Sequence, residues 1–519
     1  MLRKRACDLC YSKKSTKRSP KPRIENSVFA IEQSLSSQLE PIDFVLDRVM
    51  LEQGTSVTTC LPWVEEFLPG LGDIFCREAS EQDVFLSSIP LTCNSTGDEV
   101  DCLDRETAWR ALDAYPESSV RFVHPLMDPV IFRDTLELAF SLEETPRRTA
   151  AQASVLALVS TMGFFDDRAL SLPRSLEMKC ASRAVFLLES TNGIANLMSL
   201  RAISLLRFQS AFSGQIPASV RMHQIACRLV TELGGHNMRP EAGVNYNETE
   251  IRELRSLFWE SYITDKATTL RTGIEPCLPD NLCDLTPPGH LSPSLGCFNE
   301  GRMPPPPYGV LPPCLMGDIQ LSILKSRIWQ LLYSNEARQR SEAELLRAVR
   351  ELDGELEAWR MCVPEEIRPT FLVADRSRIS TLEELDLSPW VRHHGTSLHL
   401  EYHNLFITIH QASARYQFSK GSDSLGQAWG TSVQSNRVDQ CNYRVSIHYP
   451  VVALRTLFVN IAANPSGPDA ESDLRLLCST SDLIKRMPMS EKMVGGQEYI
   501  QKMEEDVSEL VQYVQSLTG

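Results

Sequence analysis

No run of 18 apolar residues occurs in this 519-residue chain, so no ordinary helical membrane span is expected. The basic N-terminus is followed by no apolar stretch, which argues against a secretory signal peptide. There is no Gly-x-Ser-x-Gly, no phosphate-binding loop and no Gly-x-Gly-x-x-Gly opening a helix, so nothing argues for an enzyme. Strand-like alternation is scarce and no internal repeat stands out, which removes sandwiches, barrels and solenoids from consideration. The 15 cysteines form no regular framework; they read as nuclear or cytosolic thiols, mostly small buried side chains.

What is present is a large, ordinary core and an uneven charge. Hydrophobic residues make up 42% and charged residues 23%, enough for a large core or two to three domains. Residues 1–23 hold nine Lys or Arg against Asp8; this +8 leaves −23 for residues 24–519. A basic arm on an acidic body suggests that the arm meets nucleic acid, or serves as a solvated import signal. Within it, Cys7 and Cys10 have the spacing that lets both thiolates of one turn reach a tetrahedral zinc. Lys13 and Lys14 follow directly, where positive charge could meet a phosphate backbone. The next cysteine is Cys60, so the arm opens a metal module without visibly completing it.

The chain divides into a basic arm (1–30), a mixed acidic and apolar linker or activation-like segment (31–105), a helical body (106–490) and a helical tail (491–519). Met222, Ala226, Leu229, Val230 and Leu233 recur at helical spacing before Gly234 and Gly235 end the pattern. Leu345, Ala348, Val349, Leu352, Leu356 and Trp359 line one face, with Pro364 closing that helix. Leu398, Tyr402, Leu405 and Ile409 repeat the theme. The predicted fold is therefore all-α. Eleven prolines in residues 276–313 forbid regular helix and read as a surface connection.

Two sets of residues resemble known families. Lys4-Arg5-Ala6-Cys7-Asp8-Leu9-Cys10-Tyr11-Ser12-Lys13-Lys14 resembles the start of the binuclear zinc-cluster DNA-binding domain of fungal transcription factors. That resemblance implies two zinc ions on six cysteines, with the next cysteine due at position 17, where this chain has Lys17. An abrupt loss of pattern after Lys14 is what a mis-joined exon would leave. In the body, Ala114-Tyr115 through Val123-His124-Pro125-Leu126 resembles the opening of the middle homology region, the regulatory domain of the same factors. Arg255 to Phe258-Trp259, Tyr262, Asp265-Lys266 and Leu270-Arg271-Thr272-Gly273 are similar to its best-known block. Leu352-Asp353 to Leu356 and Trp359, Leu398 to His403, and Phe458 to Leu474 fit its later helices, so the resemblance covers roughly residues 105–490.

The central block can also be read without the family. Leu254, Leu257, Phe258 and Tyr262 face one core, while Trp259, Ile263 and Leu270 cover an adjacent stripe, so this helix must be buried. Asp265 then needs a partner, with Arg271 or Arg255 expected as a structural ion pair. His399 and His403 stand one turn apart, as two metal ligands would, but His-Glu-x-x-His is absent and they read as ordinary histidines. Cys277 and Cys283 lie near Cys297 and Cys314 without any Cys-x-x-Cys, so a zinc site there is not expected.

These resemblances imply a nuclear regulator of RNA polymerase II genes that takes zinc as its metal. Cys7 and Cys10 would be metal ligands; Lys13 and Lys14 would contact DNA, and charge alone adds Lys17 and Arg18. The expected partners are DNA, and protein partners or a second copy, with no membrane. No heptads follow the arm to support a coiled-coil dimer. Two alternatives stand beside this: a regulator that acts through protein partners of the helical body without DNA, and a helical metabolite-binding protein or enzyme.

Overall fold

The computed structural model describes residues 104–118, 128–165, 172–190, 195–213, 215–237, 246–286, 318–363, 389–412 and 470–485, with isolated positions besides. Twelve α-helices carry these residues, and among them there is no strand, as the sequence pattern predicts. They are α1 (Arg105–Ala114), α2 (Pro129–Ala139), α3 (Pro146–Phe165), α4 (Arg174–Ser190), α5 (Leu197–Phe212) and α6 (Ile216–Glu232). There follow α7 (Glu248–Thr272), α8 (Ile319–Ile328), the four-residue α9 (Asn335–Arg338), α10 (Glu342–Cys362), α11 (Pro389–Gln411) and α12 (Ala470–Lys485).

Local chemistry sets where these helices begin. Asp104, Asp128, Asn196 and Asp318 each accept a backbone N–H of the following first turn. Asn247 with Glu250 and Ser341 with Glu344 form reciprocal capping boxes at α7 and α10. α6 ends where Gly234 takes a φ of 75°, and α7 where Gly273 does the same. Val363 is extended, as the residue before Pro364 should be.

Two cores result. The first gathers apolar residues of α1 to α7, with α5 at its centre. All 16 residues of α5 are buried, because α3, α6 and α7 pack around it. Phe164, Phe165, Phe208 and Phe212 stack edge to face and tilted between α3 and α5. The second core gathers α8, α10 and α11 with the aromatic turn Trp329–Tyr333. α7 reaches both: Leu254, Leu257, Phe258, Trp259 and Tyr262 lie in the first and Leu270 in the second. Its 25 residues span about 38 Å, long enough to serve two cores.

Candidate functional site

Burying α5 throughout and α7 over residues 253–266 forces the charged residues there to find partners inside the molecule. Arg201 of α5 donates to both carboxylate oxygens of Glu253 on α7, at 2.7 and 2.8 Å, and to Thr135 of α2 at 2.9 Å. Its guanidinium also lies 5.1 Å from the Phe132 ring centroid. Two turns further along, Arg207 pairs with Glu260, and its Nη1 donates to Thr264 at 2.9 Å. Ser204, between them, donates to the other oxygen of Glu260 at 3.0 Å. These bonds fix the register of α5 on α7, since a slip of one turn would strand a buried charge.

The densest polar cluster lies where α6, the C-terminal half of α7 and the loop after it meet. His223 and Cys227 stand one turn apart on α6; Asp265 and Lys266 are consecutive on α7; all four are buried. His223 Nε2 lies 3.4 Å from Asp265 Oδ1 and 3.4 Å from Cys227 Sγ. Asp265 Oδ1 accepts the backbone N–H of Cys277 at 2.8 Å, and Oδ2 accepts that of Leu278 at 3.1 Å. Lys266 Nζ lies 3.3 Å from Asp265 Oδ2 and 3.4 Å from Asp280, and donates to the Leu278 carbonyl. Asp280 in turn accepts from Tyr262 Oη and Ser326 Oγ, both at 2.8 Å, and so ties the loop to α8.

Asp265 and Arg271 do not form the expected ion pair. The charged partners of Asp265 are His223 and Lys266, and two backbone amides complete its shell. Six residues along a helix amount to about 240° of rotation, which puts Asp265 and Arg271 on different faces. Arg255, the other expected partner, is ten residues or about 15 Å away along α7. It donates instead to the carbonyls of Gly235, Asp284 and Thr286, and stacks over Phe258 and Trp259. The opening of the proline-rich connection, residues 273–286, is therefore clamped onto α7 at both ends, with Leu278 buried. Cys297 and Cys314 lie outside the described residues, and Cys283 packs beside the first core instead of joining Cys277 in a cluster.

Electrostatics follow from this packing. Burial lowers the pKa of His223, against the opposing pull of Asp265, so the imidazole favours its neutral form. Burial raises Asp265, but its hydrogen bond from His223 and the charge of Lys266 outweigh that and leave it below the usual carboxylate range. Burial pushes the Cys227 thiol well up. The exposed Cys277 thiol is lowered, chiefly by its hydrogen bond with Cys227. Burial likewise raises Cys283 to about 11.

A thiol, an imidazole and a carboxylate together suggest a nucleophile with its base, but the geometry differs. A catalytic triad needs the nucleophile on one ring nitrogen and the carboxylate on the other. Here the carboxylate approaches Nε2, the sulfur lies against the ring at 3.4 Å from Nε2 and 3.8 Å from Nδ1, and it is buried with a raised pKa. What the arrangement does is anchor the loop and join α6, α7 and α8.

The other residues named from sequence are distributed as follows. Cys7, Cys10, Lys13, Lys14, Lys17 and Arg18 lie outside the described residues. His403 is fully enclosed and its pKa falls to about 3, because burial and His399 both oppose protonation. His223 and Cys227 were not singled out by sequence reasoning. Their only signal is a His-x3-Cys spacing on a helix, and their companions arrive some forty to fifty residues later.

Residues 121–361, from before α2 to near the end of α10, match the fungal specific transcription factor domain. The helical body is thus similar to a domain of fungal transcription factors. The blocks at Leu398–His403 and Phe458–Leu474 fall beyond the matched span. Two curated proteins resemble the chain, from Aspergillus fumigatus and Aspergillus oryzae, each named ABC-transporter-regulating transcription factor. Each is 26% identical over 329 residues, which is 57% of this chain and 35% of the relative. The chain therefore spans about a third of the length of these relatives. Among the described residues no helix is long and apolar enough to cross a membrane.

Proposed function

We propose that this chain is a nuclear transcriptional regulator, with a basic arm that meets DNA and a helical body that carries the regulatory function. The observation that supports this most is the match of residues 121–361 to a transcription-factor domain. The block from Arg255 to Gly273 forms most of α7 and its cap, the helix that reaches both cores of the body. In the arm, Cys7 and Cys10 are the zinc ligands, and Lys13, Lys14, Lys17 and Arg18 contact phosphate, with Lys13 or Lys14 reaching base edges. Because Lys17 stands where a third thiolate is due, we expect weak, salt-sensitive and largely non-specific binding by the arm. Genes of ABC transporters, which the names of the two relatives point to, are the first targets to test.

The test is fluorescence anisotropy of the full chain on labelled duplex DNA across a salt series. Each phosphate neutralised contributes about −0.9 to the slope of log K against log salt. Lys13→Ala with Lys14→Ala should make the slope shallower by about 1.8. An unchanged slope would remove these lysines from the interface. Absence of DNA binding by the wild-type chain would favour the second reading, a regulator recruited through partners of the helical body; Lys17 at the ligand position is the residue that favours that reading.

A further inference from the structure

We propose that His223, Cys227 and Asp265, joined by Cys277, form a metal-binding site for a borderline-soft divalent cation such as zinc, inside the helical body and separate from the N-terminal arm. One donor atom from each of the first three lies within 4.8 Å of the others. In a tetrahedral site the distance between two ligand atoms is about 1.6 times the bond length. Bonds of about 2.0–2.3 Å to zinc thus give edges of about 3.3–3.8 Å. The two distances at His223 Nε2, to Cys227 Sγ and to Asp265 Oδ1, are both 3.4 Å; Sγ also lies 3.8 Å from Nδ1, so the Cys227 side chain turns off the ring as the ion enters along the Nε2 lone pair.

The surroundings supply the rest of a metal site. Asp265 is held by the amides of Cys277 and Leu278 and by Lys266, the kind of outer support that orients a ligating carboxylate. Lys266 also balances charge: two thiolates, one carboxylate and a dication sum to −1, which its ammonium cancels. Cys277 supplies the fourth donor. Its sulfur stands outside the cluster of three, so the exposed side chain swings in to close the site and leaves the ion a route from solvent. One imidazole, two sulfurs and one oxygen favour zinc over magnesium or calcium. Binding would release the two thiol protons to water and fasten α6, α7 and the 273–286 loop with one ion.

The experiment is cobalt(II) titration of the reduced, chelator-treated full chain carrying Cys7→Ala and Cys10→Ala, which removes the arm's thiolates. The expected result is one cobalt per chain, with the visible ligand-field band of tetrahedral cobalt and a near-ultraviolet sulfur-to-cobalt band, both abolished by zinc. Adding Cys277→Ala, an exposed change that leaves the fold intact by circular dichroism, should weaken binding at least about tenfold and reduce the sulfur band. No cobalt band in the arm variant would overturn the proposal. So would a band indifferent to both Cys277→Ala and Cys227→Ala, or a Cys227–Cys277 disulfide that, once reduced, still takes up no cobalt.

Discussion

Arg201 and Glu253 meet through two parallel hydrogen bonds, Nε to Oε1 at 2.7 Å and Nη2 to Oε2 at 2.8 Å, in a place that water does not reach. They join the second turn of α5 to the second turn of α7 across 52 residues of sequence. Removing one member leaves the other charged and buried. Arg201→Ala or Glu253→Ala should each destabilise the body by about 3–5 kcal/mol. Arg201→Met combined with Glu253→Leu should recover most of that loss, because the paired desolvation cost disappears with the pair. Urea unfolding of the single and double variants measures this; a double variant no better than the singles would show that the pair is not an isolated unit.

Gly273 ends α7 in the left-handed region, and its N–H reaches the Thr269 carbonyl. An L side chain there is strained by about 1–2 kcal/mol. Gly273→Ala should lower stability by that amount, while Gly354→Ala, whose added methyl meets nothing within 4 Å inside α10, should be neutral or slightly stabilising. Equal effects at the two positions would contradict the cap assignment.

Asp265 anchors the loop through two amides. Asp265→Asn keeps the shape of the side chain but loses its charge. Hydrogen exchange at the amides of Cys277 and Leu278 should speed up on the order of 10- to 100-fold, the loss of a charge-assisted hydrogen bond. Unaltered protection at these two amides would show that another contact holds the loop.

His403 gives the body a defined pH response. Its folded pKa of about 3 lies below the ordinary value of 6.5, so the unfolded chain binds this proton and the folded chain does not. The stabilisation is present above pH 6.5 and is lost as pH falls toward the folded value. From this group alone, stability at pH 5.5 should be about 1.4 kcal/mol lower than at pH 7.5. His403→Gln should remove that share of the pH dependence. If wild type and variant lose stability in parallel over this range, the histidine is already protonated when folded.

Much of the fold was legible because apolar periodicity reports which face of a helix is buried. Met222 to Leu233, Leu345 to Trp359 and Leu254 to Tyr262 all behave as their spacing requires. Partner choice was not legible. The need of Asp265 for a partner follows from its apolar surroundings, yet beside the adjacent Lys266 its partners are backbone amides of a returning loop and a histidine from another helix. The expected partners were the arginines of the same block, Arg271 and Arg255, and helix rotation and distance along the axis keep both away from Asp265. α5 hides its two arginines in the same way, since Glu253 and Glu260 come from α7, beyond any local window. The site of Cys277 was visible only as one cysteine among many in a proline-rich stretch.

The central claim is that the chain acts at promoters, and chromatin occupancy of the tagged full-length protein in its own cells tests it most directly. The account predicts enrichment at promoters, with expression of the nearby genes altered when the chain is deleted, and weaker occupancy after Lys13→Ala and Lys14→Ala. No enrichment over an untagged control, with transcript levels unmoved by deletion, would contradict it.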